Sequence, residues 1–212
     1  MTDGAWSEPC IGLVDTGVNA WHSHVRGDVA GCRLYLDAAG GIAEDDDFSD
    51  PLGHGTAVAG ILREALPGAR LFVVRVFGET GTTFPSLVAR GILRAAAEGC
   101  GFINVSLGVA PGPGAEVLRE ACAAAIAAGC TLAAPAPADR PGWLPASLPG
   151  VYAVTADDAL APGDVVRDAP YRLRAAGRPR DLAALPREWN LQGHSFACAR
   201  ALAQLARRGS RP

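Results

Sequence analysis

Short apolar runs of about five residues alternate with longer stretches of helical spacing along most of the chain. Cys10 to Val14, Gly31 to Leu36, Arg70 to Phe77, Gly101 to Ser106, Cys130 to Ala134 and Val151 to Thr155 read as strands. Near-continuous hydrophobic runs of that length suit strands buried on both faces. Between them, Pro51 to Leu62, Phe84 to Glu98 and Ala115 to Ala128 have helical spacing, and Ser195 to Arg208 reads as a last helix. Gly99 and Gly129 stand as stop signals just past two of these helices. Strands alternating with helices dictate an α/β fold: a doubly wound, mostly parallel sheet flanked by helices. Arg167 to Leu185 is Pro- and Arg-punctuated and poorly periodic, so short strands and loops are expected there. No repeat and no linker interrupts the pattern, and residues 1–212 are read as a single domain.

Composition narrows the function. With 49% hydrophobic and 19% charged residues, the 212-residue chain can bury a real core. A net charge of −3 without a basic cluster argues against nucleic acid. No apolar run is long enough to span a bilayer, so no membrane partner is expected. Met1 to Pro9 is polar and acidic and does not look like a signal peptide. The six cysteines lie in apolar contexts without a Cys-x-x-Cys pair, which reads as reduced core residues. These features predict a cytoplasmic protein with peptide or small-molecule partners.

In doubly wound sheets, ligands bind beyond the carboxyl ends of the strands. Asp15 ends the first strand there, and Ser106-Leu107-Gly108 ends the fourth. His54 lies between two glycines at the start of a small-residue helix, where Thr56 offers a hydroxyl near the helix start. Ser195 follows a glycine-containing turn and opens the last helix. A serine hydroxyl becomes a nucleophile when an adjacent imidazole takes its proton. That imidazole needs a buried carboxylate on its other nitrogen to fix the tautomer. Asp15, His54 and Ser195 supply the three groups, in one of the three chain orders in which such triads occur.

These motifs resemble those of the subtilisin-like serine peptidases. Gly12-Leu-Val-Asp-Thr-Gly-Val18 is similar to the family's aspartate motif, and Gly53-His-Gly-Thr-Ala-Val-Ala-Gly60 to its histidine motif. Gly193-His-Ser-Phe-Ala197 resembles, less closely, the serine motif Gly-Thr-Ser-Met-Ala. Pro67-Gly-Ala-Arg-Leu71, Ile103-Asn-Val-Ser-Leu-Gly108 and Leu144-Pro-Ala-Ser-Leu-Pro-Gly-Val151 also resemble family segments, in order. The resemblance implies a serine endopeptidase that uses Asp15, His54 and Ser195. Ser106, Leu107 and Gly108 would align substrate and wall the pocket for the residue before the scissile bond (P1). It implies a peptide or protein substrate and no cofactor or metal, and leaves the oligomeric state open.

Two departures stand out. Leu132-Ala-Ala-Pro-Ala-Pro137 places Ala136 or a neighbour where the family has its oxyanion asparagine. His194 replaces the family's threonine. His194 and Gln192 are therefore candidate oxyanion donors. The rival reading is a weak or inactive peptide-binding subunit, and a third is a peptide transpeptidase or cyclase. Near-immediate entry into the first strand is read as leaving no room for an inhibitory pro-segment, which favours selective cleavage of one precursor peptide. Asp45, Asp46, Asp47 and Asp50 read as a solvated loop, with a calcium site or a rim for basic substrates as alternatives. His22-Ser-His24 reads as a turn rather than a metal site.

Overall fold

The computed structural model describes residues 8–209. One nine-stranded sheet runs through them, in the order β3-β2-β4-β1-β5-β6-β7-β9-β8. Its parallel body comprises β2 (Val29–Leu36), β4 (Arg70–Arg75), β1 (Cys10–Asp15), β5 (Phe102–Val105), β6 (Thr131–Pro135), β7 (Val151–Ala156) and β9 (Arg172–Ala175). Antiparallel strands β3 (Ile42–Asp45) and β8 (Val165–Ala169) close its edges. All six strands expected from the sequence form. The β8–β9 hairpin falls in the segment expected to hold short strands, whereas β3 occupies part of what reads as an acidic loop.

Four helices cover the sheet. Helices α1 (His54–Ala65) and α4 (His194–Arg207) share one apolar cluster on one face. Helices α2 (Pro85–Ala97) and α3 (Ala115–Ala127) share another on the opposite face. At the centre, β1 is buried from Ile11 to Asp15. A Cβ on Gly12 would lie 2.8 Å from Ala95 Cβ, so a glycine there lets α2 sit against the strand. Among the described residues, no helix is long and apolar enough to cross a membrane.

The acidic loop is not simply solvated. Asp45 pairs with Arg33, and Asp47 lies 3.3 Å from Arg75. Asp50 is buried and organises the start of α1. Its Oδ1 accepts from Leu52 N (3.0 Å), Gly53 N (2.9 Å) and Thr16 Oγ1 (2.8 Å). Its Oδ2 accepts from Thr56 N (2.8 Å) and Thr56 Oγ1 (2.7 Å). Helix-initial amides lack intrahelical partners, and a carboxylate satisfies them best. The cap position is Gly53, and Asp50 three residues earlier holds the amides around it, with Thr56 as one of its donors. All six cysteines are free thiols; Cys10 and Cys100 place their sulfurs 2.9 Å apart.

Candidate active site

Parallel strand β1 delivers Asp15 to the carboxyl edge of the sheet, level with Arg75 on β4. Asp15 is fully buried. Its Oδ1 accepts from Thr16 N (2.6 Å) and from His54 Nδ1–H (2.7 Å). Its Oδ2 is buried without a hydrogen-bond partner. The paired glycines of the two motifs explain this approach. A Cβ on Gly55 would lie 2.1 Å from Gly17 O and 3.1 Å from Asp15 Oδ1. Gly17 has φ 115° and Gly53 has φ 79°, a conformation that glycine adopts without strain.

The negative charge of Asp15 raises the His54 pKa above its ordinary 6.5; burial opposes this, and the hydrogen bond and the Asp50 charge add to it. With Nδ1–H held by the carboxylate, neutral His54 presents Nε2 as an acceptor. The ring packs on Phe196, with centroids 5.3 Å apart. That contact brings α4 and Ser195 to the imidazole.

Ser195 is the second residue of α4, one turn position inside the Gly193 cap. It is therefore not the helix cap. Its Oγ donates to Ser106 O at 3.1 Å. Among the described residues, no hydrogen bond joins His54 to Ser195, so only the carboxylate–imidazole link is made. Buried Asn104 donates through Nδ2 to Ser106 Oγ (2.6 Å) and fixes this strand end. Leu107 turns its side chain into the α2–α3 core, which leaves backbone to face the cleft.

Trp143 carries a signal that sequence reasoning missed. A Cβ on Gly108 would sit 3.0 Å from Trp143 Cε3, so the indole lies directly on Gly108. Two backbone bonds between Val109 and Leu144, at 2.7 and 2.8 Å, clamp the loop there. Arg140 stacks on the same ring, 4.7 Å from its centroid.

Among the described residues, positions 135–137 at the end of β6 offer no free backbone N–H. Pro135 and Pro137 have no N–H, and Ala136 N–H is used by Val154 O at 2.8 Å. His194 lies nearby, and its Nδ1 accepts Ala156 N–H at 2.9 Å. That bond leaves the neutral ring with its proton on Nε2, a free donor. Burial lowers the His194 pKa, Arg140 adds to the effect, and Asp139 opposes it. Gln192 is exposed on the turn before α4. His22 Nδ1 accepts His24 N–H at 3.2 Å. Among the described residues, no group of three His, Cys, Asp or Glu side chains is arranged to hold a metal ion.

The chain matches the Subtilase family (peptidase S8) over residues 7–159. It belongs to that family, and the matched stretch contains Asp15 and His54 but ends before Ser195. Subtilisin DY of Bacillus licheniformis is 30% identical over 136 residues, 59% of this chain and 46% of its own. Thermitase of Thermoactinomyces vulgaris is 33% identical over 108 residues, covering 46% and 37%. The nisin leader peptide-processing serine protease NisP of Lactococcus lactis subsp. lactis is 31% identical over 112 residues, covering 46% and 16%. The chain thus spans less than half the length of these relatives. Two solved structures share the fold. A lanthipeptide protease has a TM-score of 0.71 at 18% identity, covering 96% of this chain and 76% of its own. The epidermin leader peptide processing serine protease EpiP of Staphylococcus aureus has 0.72 at 18%, covering 94% and 65%.

Proposed function

We propose that this chain is a serine endopeptidase that cleaves a selected peptide through Asp15, His54 and Ser195. The observation that carries the proposal is the hydrogen bond of His54 to the fully buried Asp15 carboxylate, made at 2.7 Å, with the start of α4 packed on the imidazole. In the reaction, the Ser195 hydroxyl leaves Ser106 O and turns to His54 Nε2, a rotamer change on the ps–ns scale. Oγ attacks the substrate carbonyl carbon while its proton passes to Nε2. His54 then protonates the leaving amine, and water hydrolyses the acyl-enzyme by the same route. Ser195 N–H, one of the amides that a helix start leaves free, and the α4 dipole oppose the developing oxyanion. His194 Nε2–H supplies the side-chain donor that Ala136 cannot.

One relative and one structural neighbour are named for processing a leader peptide. Cleavage of one such precursor is the role we assign here. The Ala136 substitution favours a second reading, a subtilase fold that binds peptides without cutting them. A fluorophosphonate probe separates the two. Labelling that Ser195→Ala abolishes supports the peptidase, whereas an unlabelled folded protein at every pH establishes the binder.

A further inference from the structure

A groove of about 390 Å³ opens beside the candidate site, between the first turns of α1 and the 179–191 segment that leads into α4. His22, His24, Leu182, Leu185, Trp189 and Leu191 form its walls. Its floor is the small-residue face of α1, where Gly53 and Ala57 contribute and His24 packs on Gly60. Trp189 is 76% exposed, and Leu182 and Leu191 are also exposed. Arg180 at its end is paired with Glu64 at 3.3 Å. Among the described residues, no acidic side chain lines the groove, which is largely apolar.

The chemistry of the dyad says which part of a substrate reaches it. His54 must face the leaving nitrogen to protonate it, and His54 is the first residue of α1. The P1 wall, Ser106 to Gly108, adjoins the α2–α3 layer, where Leu107 is anchored. The groove lies on the α1–α4 side. A peptide seated with its acyl residue on the P1 wall therefore runs out across the start of α1. An extended chain advances about 3.3 Å per residue, so the groove falls within the first few residues after the scissile bond.

We propose that this groove is a specificity site for a bulky apolar side chain, aromatic or leucine-sized, within the first three leaving-group residues of the substrate. The assignment rests on the peptidase reading above and adds the substrate feature that reading lacks. A basic side chain would meet an apolar lining with no carboxylate in it to pair with.

The test uses a cleavable peptide carrying Ala, Phe or Lys at each of the three positions in turn, together with a short acyl p-nitrophenyl ester that has no leaving-group residues. At one position, Phe for Ala should raise kcat/KM by about 10–100-fold, the range expected for burying one large side chain. Lys there should give no gain. Trp189→Ala combined with Leu182→Ala should flatten the Phe preference while leaving ester hydrolysis unchanged. A wild-type enzyme that hydrolyses the ester yet treats Phe and Ala alike overturns the groove assignment alone, as does a preference that survives both substitutions. So does a finding that the double variant only dissolves a dimer, which would make the groove a self-association face. If neither ester nor peptide is hydrolysed, the peptidase reading fails and takes this inference with it.

Discussion

Replacing His194 by Ala probes the most unusual feature of the site. The 135–137 segment contributes no donor, because two of its residues are proline and Ala136 N–H is bonded to Val154 O. The candidate donors are therefore Ser195 N–H and His194 Nε2–H. The latter is free because Nδ1 is held by Ala156 N–H. Removing one side-chain oxyanion donor costs about 10²–10³ in kcat, roughly 3–4 kcal/mol, a magnitude known from subtilisin itself. His194→Ala should thus lower kcat by about that factor, with KM little changed, since the donor acts on charge that develops in the transition state. The substitution also leaves Ala156 N–H without its partner, at about 1–3 kcal/mol of stability. That loss appears in the melting temperature and not in kcat. Adding Ala136→Asn to the variant places an amide at the family's position and should recover part of the lost rate. A His194→Ala enzyme within twofold of wild-type kcat refutes the donor role.

Further outcomes follow from distances and charges at the site. The raised His54 pKa means that the base is lost as pH falls through a value above 6.5, so the acid limb of kcat/KM should have its midpoint above 6.5. Asp15→Asn should move that limb down and lower kcat by a factor on the order of 10⁴, as the equivalent change does in another triad enzyme; an unmoved limb would mean that another group controls it. Below pH 6.5, protonated His54 stabilises the fold through Asp15, and this contribution is lost as pH rises through its raised folded-state pKa. Trp143→Ala should enlarge the P1 pocket and shift preference from small towards aromatic P1 residues by about 10–200-fold, read as a ratio of kcat/KM values. Gly55→Ala drives a methyl against Gly17 O and should cost about 1–3 kcal/mol or more in a denaturant titration, with loss of activity.

The fold was legible because the signals were local. Runs rich in β-branched and aromatic residues such as Arg70 to Phe77 fit interior strands, and Gly99 and Gly129 end helices where expected. The edge strand β3 was hidden, since Glu44 and Asp45 lie on an edge whose pairing uses backbone and whose charges are answered by Arg33 and Arg94. Asp50 was misread for a related reason. Its carboxylate accepts five hydrogen bonds from Thr16 and the 52–56 turn, and no run of charged residues announces that its last member is buried. Among site residues, Asp15 and His54 could be read from glycines that permit their approach. Trp143 could not, because its contact with Gly108 depends on a loop clamp between segments 35 residues apart in the chain.

The departures from the family pattern are coupled in their consequences. With no amide at Ala136, the proposed oxyanion site rests on Ser195 N–H and His194 Nε2–H for every substrate alike. If Ser106 to Gly108 wall the P1 pocket as proposed, the indole over Gly108 narrows it, and the apolar groove beside α1 adds contacts on the leaving side. Binding energy from parts of a substrate remote from the scissile bond can be used to orient the reacting carbonyl. A peptide filling both the narrowed pocket and the groove would recover rate that a generic peptide cannot. On the proposed reading these features favour discrimination among peptides, and the discriminating power should reside in kcat as well as KM. Truncating the good peptide just after the scissile bond, so that the groove is empty, should lower kcat and not merely raise KM. A purely KM effect would show that the groove binds substrate without helping to position it.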